Sequence, residues 1–292
     1  MPYTQWQVND EDDEDNPDVL TAVGRTIPLL PPGMYVPSQT PSGIIWFKAD
    51  MKEEEIIRFP DSMSNQVVAE LEKFWTLEKL FKRHRLPFKR GILLYGGSGT
   101  GKTCTLLMVA QDVVERGGYV IRYKNPNEFL QAYSQLREIQ PRSPLVVLME
   151  DIDETMDQNK RDIGGLLELL DGVLDLNYVA FLATTNYPER LEERIRSRPS
   201  RFDRRIEIPY PSEQTRRLYL ESLSKGTKSE LLEKMVKDSK GMSLAHIKEF
   251  FVSTQLFGVS YTQALADLKT MIQERPRSFD FLSESTQTGQ YV

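Results

Sequence analysis

The sequence has 292 residues, a formal net charge of −6 and 39% hydrophobic residues, long enough for two packed units with tails. The charge excludes an overall positive field for nucleic acid, and a single cysteine, Cys104, excludes a disulfide framework and fits a reducing, cytoplasmic compartment. No apolar run reaches the ~18 residues that span a bilayer, so no membrane partner is expected.

Residues 1–19 hold seven carboxylates between Asp10 and Asp18 and read as an acidic disordered tail without the basic and apolar regions of a signal peptide. Residues 20–58 form a small β-rich segment. Prolines and glycines there punctuate three short β-prone runs at 34–36, 43–47 and 55–59. That segment is either an add-on for a partner or a brace on the main domain, the brace being preferred.

From Gln66 to Arg85 apolar residues recur at three- and four-residue steps, which predicts an amphipathic helix. Its end, KRHRLPFKR at 82–90, is strongly basic, as suits a helix C-terminus; phosphate or nucleic-acid contact is the less favoured reading. GILLY at 91–95 is a short strand, followed by a helix over Cys104–Arg116 and a strand at 119–123. NPNEFLQAYSQLREI is a helix. PLVVLM at 144–149 and YVAFLATTN at 178–186 are buried strands by their unbroken apolar character, and Gly164–Leu176 between them is helical. RRIEIPYP at 204–211 is the last strand. Strands alternating with helices over 59–211 predict a parallel sheet wrapped on both faces. Residues 212–275 then read as four helices with Ser212, Ser229, Ser243 and Ser260 as caps, and 276–292 as a mobile tail.

The chemistry is carried first by Gly96-Gly97-Ser98-Gly99-Thr100-Gly101-Lys102-Thr103, which satisfies G-x-x-x-x-G-K-[ST] between a strand and a helix. Glycines let successive backbone N–H groups point at phosphate oxygens, and the helix N-terminus adds its donors. Lys102 brings a cation to the β and γ phosphates, and Thr103 a hydroxyl to Mg²⁺. Cys104, just inside the helix, closes the set of residues expected at the cofactor, its side chain reading as packing and not as chemistry. Glu150-Asp151-Ile152-Asp153 follows the buried strand 144–149, where carboxylates are costly unless a metal or partner compensates.

On these motifs the chain resembles the AAA ATPases over roughly residues 59–275. The fold implied is a P-loop NTPase α/β sheet wrapped by helices, followed by an all-helical AAA lid domain, with the β-rich segment in front. The family's Asp-Glu pair is swapped here: the resemblance puts Glu150 on the metal site and Asp151 on the water-polarising site. Being a methylene shorter, Asp151 reaches ~1.5 Å less far, a misplacement able to cost about a hundredfold in rate. The swapped order MEDID at 149–153, with LPFKRGILLYG and LLELLDGVLDLNYVAFLATTN, resembles one AAA group, the mitochondrial translocases of the folded Rieske iron–sulfur protein and their soluble relatives.

By the same resemblance Asn186 is the γ-phosphate sensor. Arg198 and Arg201, in RSRPSRFDR, are arginine fingers that reach a neighbouring subunit's nucleotide, which implies a homo-oligomeric ring, six-membered in the family. In GMSLAHIKEF at 241–250, Ala245 is the expected adenine contact and His246 a packing residue. The implied cofactors are ATP and Mg²⁺. Phe129 and Tyr133 lie where threading members carry a pore loop, but their helical spacing favours the core. Two functions follow. One is an ATP-hydrolysing ring that remodels or moves a protein partner recognised by the N-terminal segment. The other is an ATP-switched ring acting on DNA or RNA through 82–90 and Lys160/Arg161. The net charge favours the first.

Overall fold

The computed structural model describes residues 5–8, 20–23, 26–41, 43–51, 57–60, 62–153, 160–171, 176–189, 191, 201–224 and 229–273. Arg198 and the side chains of Lys160 and Arg161 lie outside this description.

β1 (Gln5–Val8) and β2 (Leu20–Val23) pair antiparallel as a separate two-stranded sheet. The acidic run separates two β-prone tetrapeptides, QWQV and LTAV, so the expectation of a tail disordered throughout 1–19 fails at its start.

β3 (Gly33–Thr40) and β4 (Gly43–Ala49) form an antiparallel hairpin. Its turn closes with the Thr40 hydroxyl donating to Gly43 O at 2.8 Å, and Gly43 takes a left-handed φ of 112° that glycine tolerates best. The hairpin is no free-standing element: β3 pairs in parallel with β6 (Tyr119–Arg122), and both strands belong to the main sheet. The third expected run, 55–59, contributes no strand among its described residues 57–59.

Ser62 caps α1 (Met63–Thr76), whose buried stripe Val67, Val68, Leu71 and Phe74 follows the predicted spacing; α2 (Glu78–Arg83) continues it. Next come β5 (Lys89–Tyr95), α3 (Lys102–Glu115), β6, α4 (Pro126–Ile139), β7 (Leu145–Met149), α5 (Lys160–Asp171), β8 (Val179–Thr185) and β9 (Arg204–Glu207). The seven-stranded order is β4-β3-β6-β7-β8-β5-β9, parallel except for the terminal hairpin pair. β7 and β8 are buried along their whole length, as central strands covered on both faces must be.

Two apolar layers sandwich the sheet. α1 and α3 cover one face through Leu71, Phe74, Leu106 and Val109. α4 and α5 cover the other through Phe129, Leu136, Leu166 and Leu170. The hairpin braces α4 through Trp46, whose Nε1 donates to Gln135 Oε1 at 3.2 Å, and Leu30 N–H, just ahead of the hairpin, donates to Gln140 Oε1 at the C-cap of α4 at 3.0 Å. Past β9, the helices α6 (Glu213–Leu223), α7 (Ser229–Asp238), α8 (Leu244–Phe251) and α9 (Tyr261–Gln273) share a third core around Leu220, Met235, Ile247, Phe250 and Leu268. Ser212, Ser243 and Ser260 accept backbone N–H groups of Thr215, His246 and Gln263 as caps; Ser229 is the first residue of α7.

Candidate functional site

The phosphate-type loop lies between β5 and α3, as its motif requires. Gly96, Gly99 and Gly101 have φ of 153°, 76° and 109°. A Cβ on Gly96 would stand 2.3 Å from Ile208 O, and one on Gly97 2.7 Å from the Tyr210 hydroxyl. Gly96 therefore tolerates no side chain, and the glycines keep the loop backbone open to a ligand on that side. Thr100 closes it by donating its hydroxyl to Gly97 O at 2.9 Å. Ser98, Thr103 and Cys104 are exposed, the last two in the first turn of α3, so Cys104 is on the surface beside the loop and not in the core as expected.

Lys102 is buried, at 6% exposure. Its ammonium donates to Gly96 O at 2.8 Å, Gly97 O at 2.9 Å and Asn186 Oδ1 at 2.6 Å, which engages all three protons. Burial holds its pKa below the usual lysine value; the Asp151 and Asp153 carboxylates offset part of that.

Asn186 directly follows β8 (Val179–Thr185) and links this cation to the acidic strand end: its amide donates to Asp151 Oδ1 at 3.1 Å. Asp151 has a left-handed φ of 44°, and its N–H donates to the Thr184 hydroxyl at 3.0 Å. Short polar residues tolerate that conformation best, which gives the swapped order a local reason: the kink suits Asp better than Glu. Glu150, the residue assigned to the metal, turns elsewhere and accepts from Arg122 at 3.0 Å at the end of β6.

Sequence reasoning placed Lys102, Asn186 and Asp151 in one site, and they meet there. It assigned no role to Arg122 or Asp153. Asp153 is 4% exposed, accepts from the Thr185 hydroxyl at 2.6 Å and stands among the carboxylates acting on Lys102. Its signal was the i+2 repeat in EDID.

The lid reaches the loop as well. A Cβ on Gly99 would lie 2.7 Å from Ser243 Oγ and 2.8 Å from Ala245 Cβ, so the N-terminus of α8 packs directly on the loop. His246 fills a structural position: its Nδ1 meets Ser243 Oγ at 2.8 Å in the capping box.

Arg201 has a placement unlike that of an exposed finger. Its side chain is 4% exposed, and its guanidinium meets Asp171 through Nε–Oδ1 at 2.5 Å and Nη2–Oδ2 at 2.6 Å. In the basic run 82–90, Lys89 donates to Leu170 O at 2.6 Å and Arg90 pairs with Glu70, so both are engaged inside the chain.

These residues fit a nucleoside triphosphate with Mg²⁺. A glycine-rich cradle opens on two helix N-termini, with a buried ammonium and two carboxylates beside it. Among the described residues no group of three or more His, Cys, Asp or Glu could hold a metal alone, so a divalent ion here would need phosphate oxygens to complete its shell. No helix among the described residues is long and apolar enough to cross a membrane.

The profile of the family described as "ATPase family associated with various cellular activities (AAA)" matches residues 92–210. Human ATPase family gene 2 protein homolog A is 30% identical over 217 residues, 68% of this chain and 23% of that protein. The cell division cycle protein 48 homolog of Archaeoglobus fulgidus is 30% identical over 212 residues, 67% of this chain and 28% of that protein. The 26S proteasome regulatory subunit 10B homolog A of Arabidopsis thaliana is 28% identical over 204 residues, 62% and 50% of the two chains. This chain therefore spans between about a quarter and half the length of these relatives. Loop geometry, sheet and similarity agree on one conclusion: the chain carries an ATPase module of the AAA family.

Proposed function

We propose that this chain hydrolyses ATP in a homo-oligomeric ring and uses the energy to remodel or move a protein partner. The observation that carries the reading is the contact chain Lys102–Asn186–Asp151 beside the glycine cradle. The backbone of 96–103 and the Lys102 ammonium bind the triphosphate. Asp151 polarises the attacking water, with Asn186 orienting it against the γ-phosphate. Thr103 and Glu150 are the residues that would hold Mg²⁺, which when bound supplies charge neutralisation on the β and γ oxygens. Ala245, against the loop, lies on the nucleotide's base side.

A charge donor from a second subunit is part of the proposal because Arg201 stands at the wrong end of its own sheet to serve its own loop. β9 pairs with β5 from Ile92↔Arg204 to Tyr95↔Glu207, so Arg201 lies beside Gly91, at the far end of β5 from Gly96. Five residues of strand are about 16 Å. Arg198, three residues further back, is the proposed donor to the neighbour.

A protein partner is preferred because Lys89 and Arg90 of the basic run are engaged in the chain, and because one relative is named a proteasome regulatory subunit. Threading through an aromatic loop after β6 is not part of the proposal. Only Tyr123, Lys124 and Asn125 separate β6 from α4, and Phe129 is 1% exposed. Recognition is assigned to the N-terminal segment.

Mixing tests the ring. Lys102→Ala and Arg198→Ala chains, each inactive alone, should regain part of the parental ATPase when combined, because some interfaces pair an intact loop with an intact arginine. Mixtures that stay inactive, or an Arg198→Ala chain at parental rate, contradict it. Removing residues 1–25 leaves the seven-stranded sheet whole and should spare ATPase while abolishing partner engagement.

A further inference from the structure

Gly97 is a glycine without a backbone reason. Gly96, Gly99 and Gly101 of the same loop have left-handed φ, and Gly97 does not. What excludes a side chain there is Tyr210: a Cβ on Gly97 would stand 2.7 Å from the phenol oxygen and 3.0 Å from Cζ, inside contact distance. Tyr210 belongs to the connection between β9 and α6, and both of its flanks are fixed. Before it, the Ile208 N–H donates to Tyr95 O at 2.8 Å, and Ile208 O abuts Gly96. After it, buried Arg216 of α6 donates to Pro211 O at 3.1 Å and to Val236 O of α7 at 3.2 Å. Pro209 and Pro211 lock their own φ, and Pro211 disfavours the helical region for Tyr210. A stiff connection therefore holds the phenol against the loop, although Tyr210 is 49% exposed and its hydroxyl makes no hydrogen bond among the described residues.

We propose that Tyr210 is a positioning residue for ATP binding: its phenol bears on Gly97 and holds the phosphate loop in register with the point where the lid helices are attached. This rests on the reading of 96–103 as the nucleotide cradle. Gly97 is where such support counts. Its carbonyl accepts one proton of the Lys102 ammonium at 2.9 Å and the Thr100 hydroxyl at 2.9 Å, so Tyr210 presses on the residue that closes the loop and parks the cation. A nucleotide that draws Lys102 onto its phosphates takes that proton from Gly97, and the phenol remains to hold the residue in place. The N-terminus of α8 adds a second contact, at Gly99 through Ser243 and Ala245. The loop is thus touched by the lid helices at one glycine and by their tether at another. The working element is the bulk of the aromatic side chain, and the small residue at 97 and the large one at 210 form one complementary pair.

Nucleotide affinity reads the pair. In Tyr210→Ala the Kd for a fluorescent ADP and the KM for ATP should rise about fivefold or more while kcat stays within about twofold, because the phenol touches the cradle and not the Asn186–Asp151 end. Tyr210→Phe keeps the aromatic bulk and should hold both constants within about twofold of the parental values. Gly97→Ala puts a methyl group where the phenol stands and should weaken binding to a similar degree. The double variant Gly97→Ala/Tyr210→Ala should be no worse than the weaker-binding single, since both changes break one contact. Thermal melting checks that each variant is folded, and where Gly97→Ala is not, the two variants at 210 decide. Tyr210→Ala at parental Kd and KM overturns the proposal, as does a loss in kcat alone. A Tyr210→Phe loss as large as that of Tyr210→Ala also overturns it, by making the hydroxyl the working atom, and so do additive losses in the double variant. Lys102→Ala, measured alongside, separates this failure from that of the cradle: parental ATPase in that variant removes the cradle reading, whatever the variants at 210 do.

Discussion

The Lys102 ammonium donates to Asn186 Oδ1 at 2.6 Å, which joins the phosphate loop to the end of β8 before any nucleotide is considered. The other end of the same amide holds Asp151. Asn186→Ala breaks both contacts without touching the cradle. If, as proposed, the amide acts on the reacting end of the triphosphate, kcat should fall by roughly 10²–10³, the usual loss for one preorganised donor, while ATP affinity changes less than about tenfold. Single-turnover hydrolysis combined with nucleotide titration separates the two numbers. A large loss of affinity at unchanged turnover would assign Asn186 to binding alone.

Arg122 competes for Glu150. The pair is part exposed, with side-chain exposures of 53% and 35%, so it contributes about 0.2–1 kcal/mol. If Glu150 helps hold Mg²⁺, Arg122→Ala frees it, and the Mg²⁺ concentration for half-maximal ATPase should fall about two- to fivefold. A rise in that concentration would show that Arg122 supports the site instead of restraining it.

The alkaline limb of kcat/KM should report Lys102. Its pKa lies below the usual lysine value because of burial, with Asp151 and Asp153 pulling it back up. In the proposed site the charged form binds phosphate, so activity should decline as pH rises through the folded pKa. Asp153→Asn keeps an acceptor for the Thr185 hydroxyl but removes one offsetting charge, and the limb should move to lower pH. Stability follows the opposite sign. Between the folded and unfolded pKa the folded chain binds fewer protons, so this lysine's contribution to stability grows with pH. An alkaline limb that Asp153→Asn leaves in place would remove Lys102 as its source.

Phe129 belongs to the core, packed against Phe181, Tyr133 and Tyr123. Phe129→Ala should cost about 3–5 kcal/mol of stability, read by denaturant unfolding. A variant of parental stability that hydrolyses ATP but fails to process a partner would return Phe129 to the role of a substrate-gripping residue.

The cradle was legible because its constraints are local. A strand, a glycine loop and a helix follow one another directly, and each has a short-range signature. The lid caps at Ser212 and Ser243 were legible for the same reason. Pairings between distant segments were not. The hairpin 33–49 looks self-contained in the sequence, and only the register of Met34 on Val120 reveals it as part of the main sheet. Arg201 and Asp171 lie 30 residues apart, and no local pattern says that an arginine in an arginine-rich segment is buried. Glu150 was assigned by alignment of motif positions, whereas the left-handed kink at Asp151 and the pull of Arg122 depend on backbone geometry that residue types do not encode.

The central claim is that ATP is cleaved at the Lys102 cradle. Phosphate release from Mg·ATP by the purified chain and by Lys102→Ala, both checked for folding by thermal melting, tests it most directly. The account predicts turnover by the parental protein and a loss of at least about a hundredfold in the variant. Equal rates from the two proteins would contradict it.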